Sequence, residues 1–416
     1  MLFAFIVFHF VLFTRPSLAF LLGHAAPRSP HSAASTSTTS LNVDNNVDGI
    51  NELTNTLSRL DKEWRMQQRD RSYSRWTKIV LADRDSEEGA QAREYAPETP
   101  VPPDLQENLV YLLEPPNKSN PSCLLVFIGG AGLGTFPQVV YNEFLTRLSD
   151  RLNAAVLTAP YQVGLDHFSL SKKTGDLLRR AILYCEEDPA RLYSSQLPTY
   201  CLAHSLGCKL ASIYMAATGQ EFEGVGFISF NNFGFSNTIS MVREFADEIQ
   251  KSTQFTLGRR IDSEALNGFF TLAENILGSL NFDFTPSPSE TERVISLKYD
   301  AERQRKTRLF VFDDDNMDSS KSFLRACRKE GQGPTVSRLP GNHLTPVYFQ
   351  LGLKDLPEEA RYMAGDAFGG IQSASFGTLE ELNALVDEVV GFVLGKEPSR
   401  TQSKQELLPP AGSKDN

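Results

Sequence analysis

From Leu109 onward, short apolar segments alternate with amphipathic helical patterns along most of the chain. An apolar run bounded by helices is typical of a strand that is buried on both faces of a parallel sheet. The alternation therefore predicts an α/β fold with a mainly parallel sheet and helices on both faces. The predicted strands are Leu109–Leu113, Leu124–Ile128, Ala154–Ala159, Thr199–Leu202, Val225–Phe230, Leu309–Phe312 and Val336–Leu339, and the predicted helices are Val139–Leu152, Gly175–Glu186, Leu206–Ala217, Lys321–Lys329 and Leu379–Leu394.

The alternation stops between residues 233 and 293, where no strand is apparent. Apolar residues recur there with helical spacing from Leu266 to Leu280, and Asp262 stands where it would cap the helix. A helical insertion after a strand lies where a cap would cover an active site. The same apolar stripe would also suit ordinary core packing, so the pattern predicts a helical cap without excluding a structural role.

The first 43 residues have the composition of a targeting leader. Residues 1–19 contain an apolar run, Leu2–Phe13, that is too short to span a bilayer and is followed by a small-x-small cleavage signal. Residues 20–43 hold no Asp or Glu and are rich in Ser and Thr, which is typical of a transit peptide. A signal peptide followed by such a segment, beginning with Phe20, resembles the bipartite plastid leader of algae with secondary, red-lineage plastids. We therefore predict import into a plastid (chloroplast), with plain secretion as the alternative.

The remaining segments outside the sheet are predicted from polarity. Residues 44–108 are predicted to be an N-terminal helical arm and linker, with a weak helical period over 44–72 that suits a surface helix or a partner-binding arm. Whether this arm makes peripheral membrane contact is left open. The α/β domain is predicted over 109–395, and residues 396–416 are polar, contain Pro409 and Pro410, and are predicted to be a disordered tail.

Net charge, cysteine spacing and glycine spacing argue against several classes of function. The net charge of −10 argues against nucleic-acid binding, which needs Lys and Arg to neutralise phosphates. The five cysteines are scattered and form no C-x-x-C pair, so neither a disulfide framework nor a zinc site is indicated. The glycine-rich segment after Ile128 lacks the G-x-G-x-x-G pattern of dinucleotide sites. We therefore predict no cofactor and no metal.

The strongest candidate for chemistry is Ser205. The sequence Ala203-His204-Ser205-Leu206-Gly207 follows a predicted strand and opens a predicted helix. This is the place of a nucleophile elbow, a sharp turn that exposes a serine hydroxyl at the edge of the sheet and needs small flanking residues. Ala203 stands where the pattern usually has glycine, and a serine that merely caps the helix is the structural alternative.

A serine nucleophile needs a base, and histidines are scarce outside the leader. His343 lies in a glycine-containing loop after the last predicted strand, which matches the chain order Ser, acid, His of α/β-hydrolases. The acid is expected after Leu309–Phe312, where four carboxylates occur within six residues; Asp315 or Asp314 is the preferred position. A divalent-cation site is the alternative for this acidic cluster, although the full calcium-loop pattern is absent.

Two further groups are predicted to surround the nucleophile. An oxyanion hole needs two N–H donors, which we assign to Leu206 and to Gly130 or Ala131 in the glycine-rich loop. Asp166 and His167 follow another predicted strand and should lie at the same sheet edge. They would line the pocket, provide an alternative base, or form a local helix cap, and the sequence does not rank these roles.

Several separate motifs are spread over most of the chain; they are Phe127-Ile128-Gly129-Gly130-Ala131, Pro137-Gln138, Tyr141, Ala203-His204-Ser205-Leu206-Gly207, Ile228-Ser229-Phe230-Asn231-Asn232-Phe233, Phe284-Thr285-Pro286-Ser287-Pro288 and Leu339-Pro340-Gly341-Asn342-His343-Leu344-Thr345-Pro346. Together these motifs resemble the DUF1350 family of cyanobacteria, algae and plant chloroplasts, a branch of the α/β-hydrolase fold. The resemblance covers roughly Leu109 to Val390 and implies the fold and a plastid setting, but no substrate.

Two functions of different classes follow. The first is a serine hydrolase or acyltransferase that acts on an ester or thioester, with Ser205 attacking and His343 moving the proton. The second is a non-catalytic α/β-hydrolase-fold protein that binds a ligand or partner. Aromatic residues of the predicted cap would suit an acyl chain, and they would equally suit a core; they are Phe233, Phe235, Phe269, Phe270, Phe282 and Phe284.

Overall fold

The structure, a computed structural model, describes residues 61–69, 74–82, 92–188, 191, 193, 196–234, 283–327, 333–352 and 373–399. The predicted leader over residues 1–43, the central part of the predicted cap over 235–282 and the tail over 400–416 lie outside these residues. The assignments made for those segments therefore stay predictions.

The centre of the fold is a nine-stranded sheet in the order β2-β1-β3-β5-β4-β6-β7-β8-β9. The last six strands in this order run parallel to one another, and β3 pairs antiparallel with both β1 and β5. Strands β10 and β11 form a separate antiparallel pair. The strands are β1 Trp76–Val80, β2 Arg93–Tyr95, β3 Leu109–Leu113, β4 Leu124–Ile128, β5 Ala155–Thr158, β6 Thr199–His204, β7 Gly224–Ile228, β8 Thr307–Phe312, β9 Thr335–Leu339, β10 Phe349–Gly352 and β11 Ser373–Phe376.

Helices cover both faces of the large sheet, each burying an apolar stripe against the strands. Helices α2 and α8 pack together on one face, and α3, α4, α5 and α7 cover the other. No helix within the described ranges is long and apolar enough to cross a membrane. The helices are α1 Pro137–Val140, α2 Asn142–Leu152, α3 His167–Glu187, α4 Leu206–Thr218, α5 Pro288–Lys298, α6 Ala301–Arg305, α7 Ser320–Ala326 and α8 Leu379–Val393.

This topology confirms the predicted fold class. With the edge strand β2 set aside, the eight remaining strands have the order and the single reversed strand of the α/β-hydrolase fold. All seven predicted strands are present, and their ends differ from the prediction by no more than two residues. The carboxyl ends of the parallel strands meet at one edge, which is where ligands bind in open α/β sheets.

The prediction that the sheet begins near Leu109 is wrong. Strand β1 pairs with β3 along its whole length, so the segment assigned to the linker is part of the sheet. The helical residues 61–69 are also packed, since Trp64 is 5% exposed and its ring meets Trp76 at 5.9 Å and Tyr111 at 6.2 Å. The three aromatic rings pack edge to face within the hydrophobic core. The weak helical period of the arm did not predict this burial.

Three other predicted boundaries are corrected. Helix α3 begins eight residues before the predicted Gly175, because Asp166 caps it by accepting the N–H of Ser169. The predicted helix Val139–Leu152 divides at Tyr141 into α1 and α2. Residues 288–293 of the predicted cap belong to α5, which packs on α4 and α7 against the sheet.

The predicted disordered tail begins too early. The Lys396 carbonyl accepts a hydrogen bond from Arg308, and Pro398 is buried. Ser399 donates its N–H to the carboxylate of Glu388 at 3.2 Å. Polar composition does not reveal these contacts, because they form only when strand β8 and helix α8 lie next to residues 396–399 in the folded protein.

Candidate active site

Ser205 occupies the tight turn between β6 and α4. Its backbone has φ 54° and ψ −123°, a conformation that residues other than glycine rarely adopt. Gly207 makes the turn possible, because a Cβ at that position would lie 2.3 Å from the Ile128 carbonyl oxygen. The Ser205 N–H donates to the Ile228 carbonyl at 3.0 Å, which ties the turn to β7. The predicted strand, turn and helix are therefore all present at this residue.

His343 reaches the Ser205 hydroxyl from the loop after β9. The distance between His343 Nε2 and Ser205 Oγ is 2.9 Å, and His343 is 3% exposed. The loop turns at Gly341, whose φ of 118° suits glycine, and the Asn342 N–H donates to Thr345 Oγ1 at 2.9 Å. The structure thus brings together a hydroxyl and an imidazole that are 138 residues apart in the chain.

Asp315 holds the other side of the imidazole. Its carboxylate oxygens lie 3.0 and 3.1 Å from His343 Nδ1, and its side chain has no exposed surface. Asp314, the alternative acid, is exposed on the turn, and Asp313 pairs with Arg338, so neither takes this place. Asp314 is therefore wrong as the partner of His343. The reason is the turn itself, in which Met317 donates its N–H to Asp315 and directs that carboxylate inward.

The contacts determine where the protons lie. Burial alone would raise the pKa of Asp315, but the charge and hydrogen bond of His343 outweigh it and lower that pKa. An ionised carboxylate only accepts, so His343 Nδ1 carries the proton and Nε2 is free to accept from the Ser205 hydroxyl. An imidazole arranged in this way can act as a general base toward Ser205.

The glycine-rich loop after β4 lies directly against Ser205. A Cβ on Gly130 would lie 3.1 Å from Ser205 Cβ. The Gly130 N–H donates to the Tyr141 hydroxyl at 2.9 Å, so it is not available as an oxyanion donor. Of the two predicted loop residues, Ala131 is left as the candidate. Leu206, the first residue of α4, stays the candidate for the other N–H donor, because the opening N–H groups of a helix have no intrahelical acceptor.

His167 is not placed as a base for Ser205. It is 2% exposed and its ring stacks on Phe284 with centroids 4.3 Å apart. Burial, and then the charge of Lys209, lowers the pKa of His167 to about 3, which keeps the ring neutral. Asp166 caps α3, which is the helix-capping role that the sequence left open. The nitrogen that meets the Ser205 hydroxyl belongs to His343 instead.

Asp318 is a second acid at the site, and no local sequence pattern indicated its role. It accepts the Ser320 N–H at 2.7 Å. Burial, and then the negative charge of Asp315, raises the pKa of Asp318 from 3.8 to about 7. Within the part of the chain that the structure describes, no group of three or more His, Cys, Asp or Glu side chains is placed to hold a metal ion. The acidic turn therefore holds Asp315, whose pKa is lowered, next to Asp318, whose pKa is raised.

Because the pKa of Asp318 is raised on folding, ionisation of this carboxyl should lower the free energy of unfolding at neutral pH, and Asp318→Asn should remove that effect. The folded protein keeps a proton that the unfolded chain releases between about pH 4 and pH 7, so stability falls as pH rises through this window. Asparagine still accepts the Ser320 N–H and does not ionise. We expect thermal unfolding to show little difference from the wild type near pH 4, and a melting temperature higher by about 4 °C or more above pH 7.

Asp314→Asn is the matched control, since it removes the same charge from an exposed position on the same turn. Its difference from the wild type should not grow between the acidic and the neutral measurement. An equal gain in melting temperature for both variants at all pH values would contradict the assignment of the titrating group to Asp318.

Comparison with known proteins identifies one family. The family model described as a protein of unknown function (DUF1350) matches residues 110–386. A search of curated protein sequences found no match.

Solved structures that are similar to this chain include an α/β-hydrolase, the protein Est1E and a thioesterase domain. The peroxisomal α/β-hydrolase Lpx1 from Saccharomyces cerevisiae is 14% identical over 69% of this chain and 90% of its own, with a TM-score of 0.38. Est1E from Butyrivibrio proteoclasticus is 12% identical over 69% and 93%, with a TM-score of 0.36. The thioesterase domain from the curacin biosynthetic pathway is 14% identical over 62% and 95%, with a TM-score of 0.33. Similarities this low do not indicate a substrate.

Proposed function

We propose that this chain, which belongs to the DUF1350 family, is a serine hydrolase that cleaves or transfers the acyl group of an ester or thioester. The observation that carries the proposal is the continuous set of hydrogen bonds from Ser205 Oγ through His343 to Asp315. Nucleophile, base and orienting acid have these mutual contacts in Ser-His-Asp enzymes of several unrelated folds. The strained backbone of Ser205 adds weight, because strain of this kind concentrates at functional sites.

In the first step, Ser205 Oγ attacks the acyl carbon while its proton moves to His343 Nε2. The imidazolium that forms is stabilised by the ionised Asp315 on its other side. Negative charge develops on the former carbonyl oxygen, where the N–H groups of Leu206 and Ala131 would stabilise it. The N-terminal end of α4 adds a favourable dipole at the same place.

Collapse of this intermediate breaks the bond to the leaving group, which takes the proton from His343 Nε2. Water, or another acceptor hydroxyl, then gives its proton to the same nitrogen and attacks the acyl-Ser205 ester. The acid product or the transferred ester leaves, and the Ser205 hydroxyl recovers its proton. Every proton in this cycle passes through His343 Nε2, and the 2.9 Å distance from this nitrogen to Ser205 Oγ supports that route.

An acyl substrate in a plastid is the finer part of the proposal. Phe284, one of the aromatic residues of the predicted cap, lies in the described part and packs with Val163 and Leu165. Phe284 is buried and stacks on His167, so the preference for an acyl chain rests on the aromatic composition of the predicted cap and not on this cluster. The plastid setting rests on residues 1–43 and on the family resemblance, and the location of a fluorescent protein fused to residues 1–45 tests it.

A fluorophosphonate probe tests the central claim. The probe forms a covalent bond only with an activated serine, so folded full-length protein should be labelled at Ser205, as located by peptide mass spectrometry. Ser205→Ala and heat-denatured wild type should not be labelled. A folded wild type that stays unlabelled at Ser205 would contradict the hydrolase and favour the non-catalytic binding protein.

A further inference from the structure

His204, the residue directly before Ser205, makes two buried hydrogen bonds that the proposed reaction does not use. It is 1% exposed and ends strand β6. Its Nδ1 lies 2.8 Å from the Tyr141 hydroxyl, and its Nε2 lies 2.8 Å from the backbone carbonyl oxygen of His343. A histidine that only filled space would not need partners at both nitrogens.

The hydrogen-bond partners of His204 and Tyr141 determine which of their atoms carry protons. The His343 carbonyl can only accept, so His204 Nε2 carries the proton. Burial, and then the charge of His343, lowers the pKa of His204 to about 3, so the ring is neutral and Nδ1 accepts. The Tyr141 hydroxyl therefore donates to Nδ1, and its oxygen accepts the Gly130 N–H at 2.9 Å. The result is one directed series from Gly130 through Tyr141 and His204 to the His343 backbone.

This series joins the parts of the site that come from different places in the chain. Gly130 belongs to the loop that lies against Ser205, and a Cβ there would lie 3.1 Å from both Ser205 Cβ and His204 Nδ1. At the other end, His343 is held by its carbonyl while its imidazole serves Ser205. Movement of that carbonyl would move the imidazole, because both belong to one residue in a short loop.

We propose that His204 is a positioning residue which, together with Tyr141, holds the Gly130 loop and the His343 loop at the distances that the Ser205–His343 contact requires. The inference rests on the proposed hydrolase function. Neither residue touches the reacting atoms; each acts through the residue it holds. A bond missing at either nitrogen leaves a buried polar group unpaired and releases one of the two loops.

Three substitutions and one control test this role in the full chain. Tyr141→Phe and His204→Leu each break the series, whereas His204→Gln keeps an N–H that can reach the His343 carbonyl. We expect the first two to lower kcat for a short-chain aryl ester by about 10- to 100-fold with KM little changed, because small displacements of reacting groups have costs of this size. His204→Gln should recover much of the loss.

Tyr193→Phe is the matched control. Its hydroxyl donates to the buried carboxylate of Glu114, outside the site, so it loses a hydrogen bond of the same kind. We expect a lower melting temperature and an unchanged kcat. If Tyr141→Phe and His204→Leu also lower only the melting temperature, both residues are structural and the proposal is overturned.

Imidazole nitrogen NMR separates this inference from the proposed function. The His204 signals should show the neutral Nε2-protonated form from about pH 5 to pH 9, since its protonation lies well below this range. In Tyr141→Phe the His343 nitrogen signals should shift, which indicates a displaced imidazole. Unchanged His343 signals would overturn the inference even in an active enzyme. If the His343 signals of Tyr141→Phe shift although the wild type has no esterase activity, the positioning role is supported while the hydrolase proposal fails.

Discussion

Replacing Ser205 or His343 with alanine is expected to remove nearly all turnover of a short-chain aryl ester, and replacing both is expected to remove little more. The two side chains act in one proton transfer over the 2.9 Å contact, so once either is lost the other has nothing to act on. In enzymes with such a triad each single loss lowers kcat by as much as about 10⁶-fold. The measurement is kcat for the two single variants and the double variant, each with its circular dichroism spectrum and melting temperature.

Two other substitutions serve as controls. Ser212→Ala removes a buried hydroxyl from α4 that donates to the Lys209 carbonyl, away from His343. His167→Ala removes the histidine that the sequence left as an alternative base. Both should retain far more turnover than His343→Ala. If the losses of Ser205→Ala and His343→Ala instead multiplied in the double variant, the two residues would act independently and the triad assignment would have to be abandoned.

Asp315→Asn is expected to lower kcat by about 10⁴-fold, the size seen when the acid of such a triad loses its charge. The amide N–H of asparagine would donate to His343 Nδ1, which places the ring proton on Nε2, where it faces the Ser205 hydroxyl. The base is then blocked although its position is kept. The loss should be smaller than for Ser205→Ala, because Asp315 forms no bond to substrate.

The neighbouring acids provide the controls for this prediction. Asp314→Asn and Asp313→Asn change the same charge on the exposed part of the turn, and their kcat values should stay within about twofold of the wild type. The measurement is kcat over a range of pH, so that a changed pH optimum is not mistaken for a loss. A comparable loss in Asp314→Asn would show that the acid of the reacting complex is not the one His343 contacts here.

The sequence predicted most of the architecture because buried strands and amphipathic helices leave local patterns. Each run of four to six apolar residues lies within one element, so it can be recognised without knowledge of the rest of the chain. Strand β1 was not predicted, because its place in the sheet depends on a distant partner and not on a local apolar run. Its five residues include a charged Lys78, and they belong to the sheet only because they pair with β3 some thirty residues later.

Ser205 can be recognised as the candidate nucleophile from local sequence, because the strand, the tight turn and the helix that expose it are consecutive in the chain. The sequence also limited the base to few choices, since three of the six histidines lie in the leader. The identity of the acid that faces His343 depends on the folded turn, because Asp313, Asp314 and Asp315 are adjacent in the chain and differ only in where the turn directs them.

The contacts around His204 belong wholly to the tertiary structure. Tyr141 lies 63 residues before His204, and His343 lies 139 residues after it. No local pattern relates such residues, since hydrogen bonds at this range depend on the packing of β4, β6 and β9 within one sheet. Chain order therefore specified which elements form the site, and the distances between those elements specified which side chains meet.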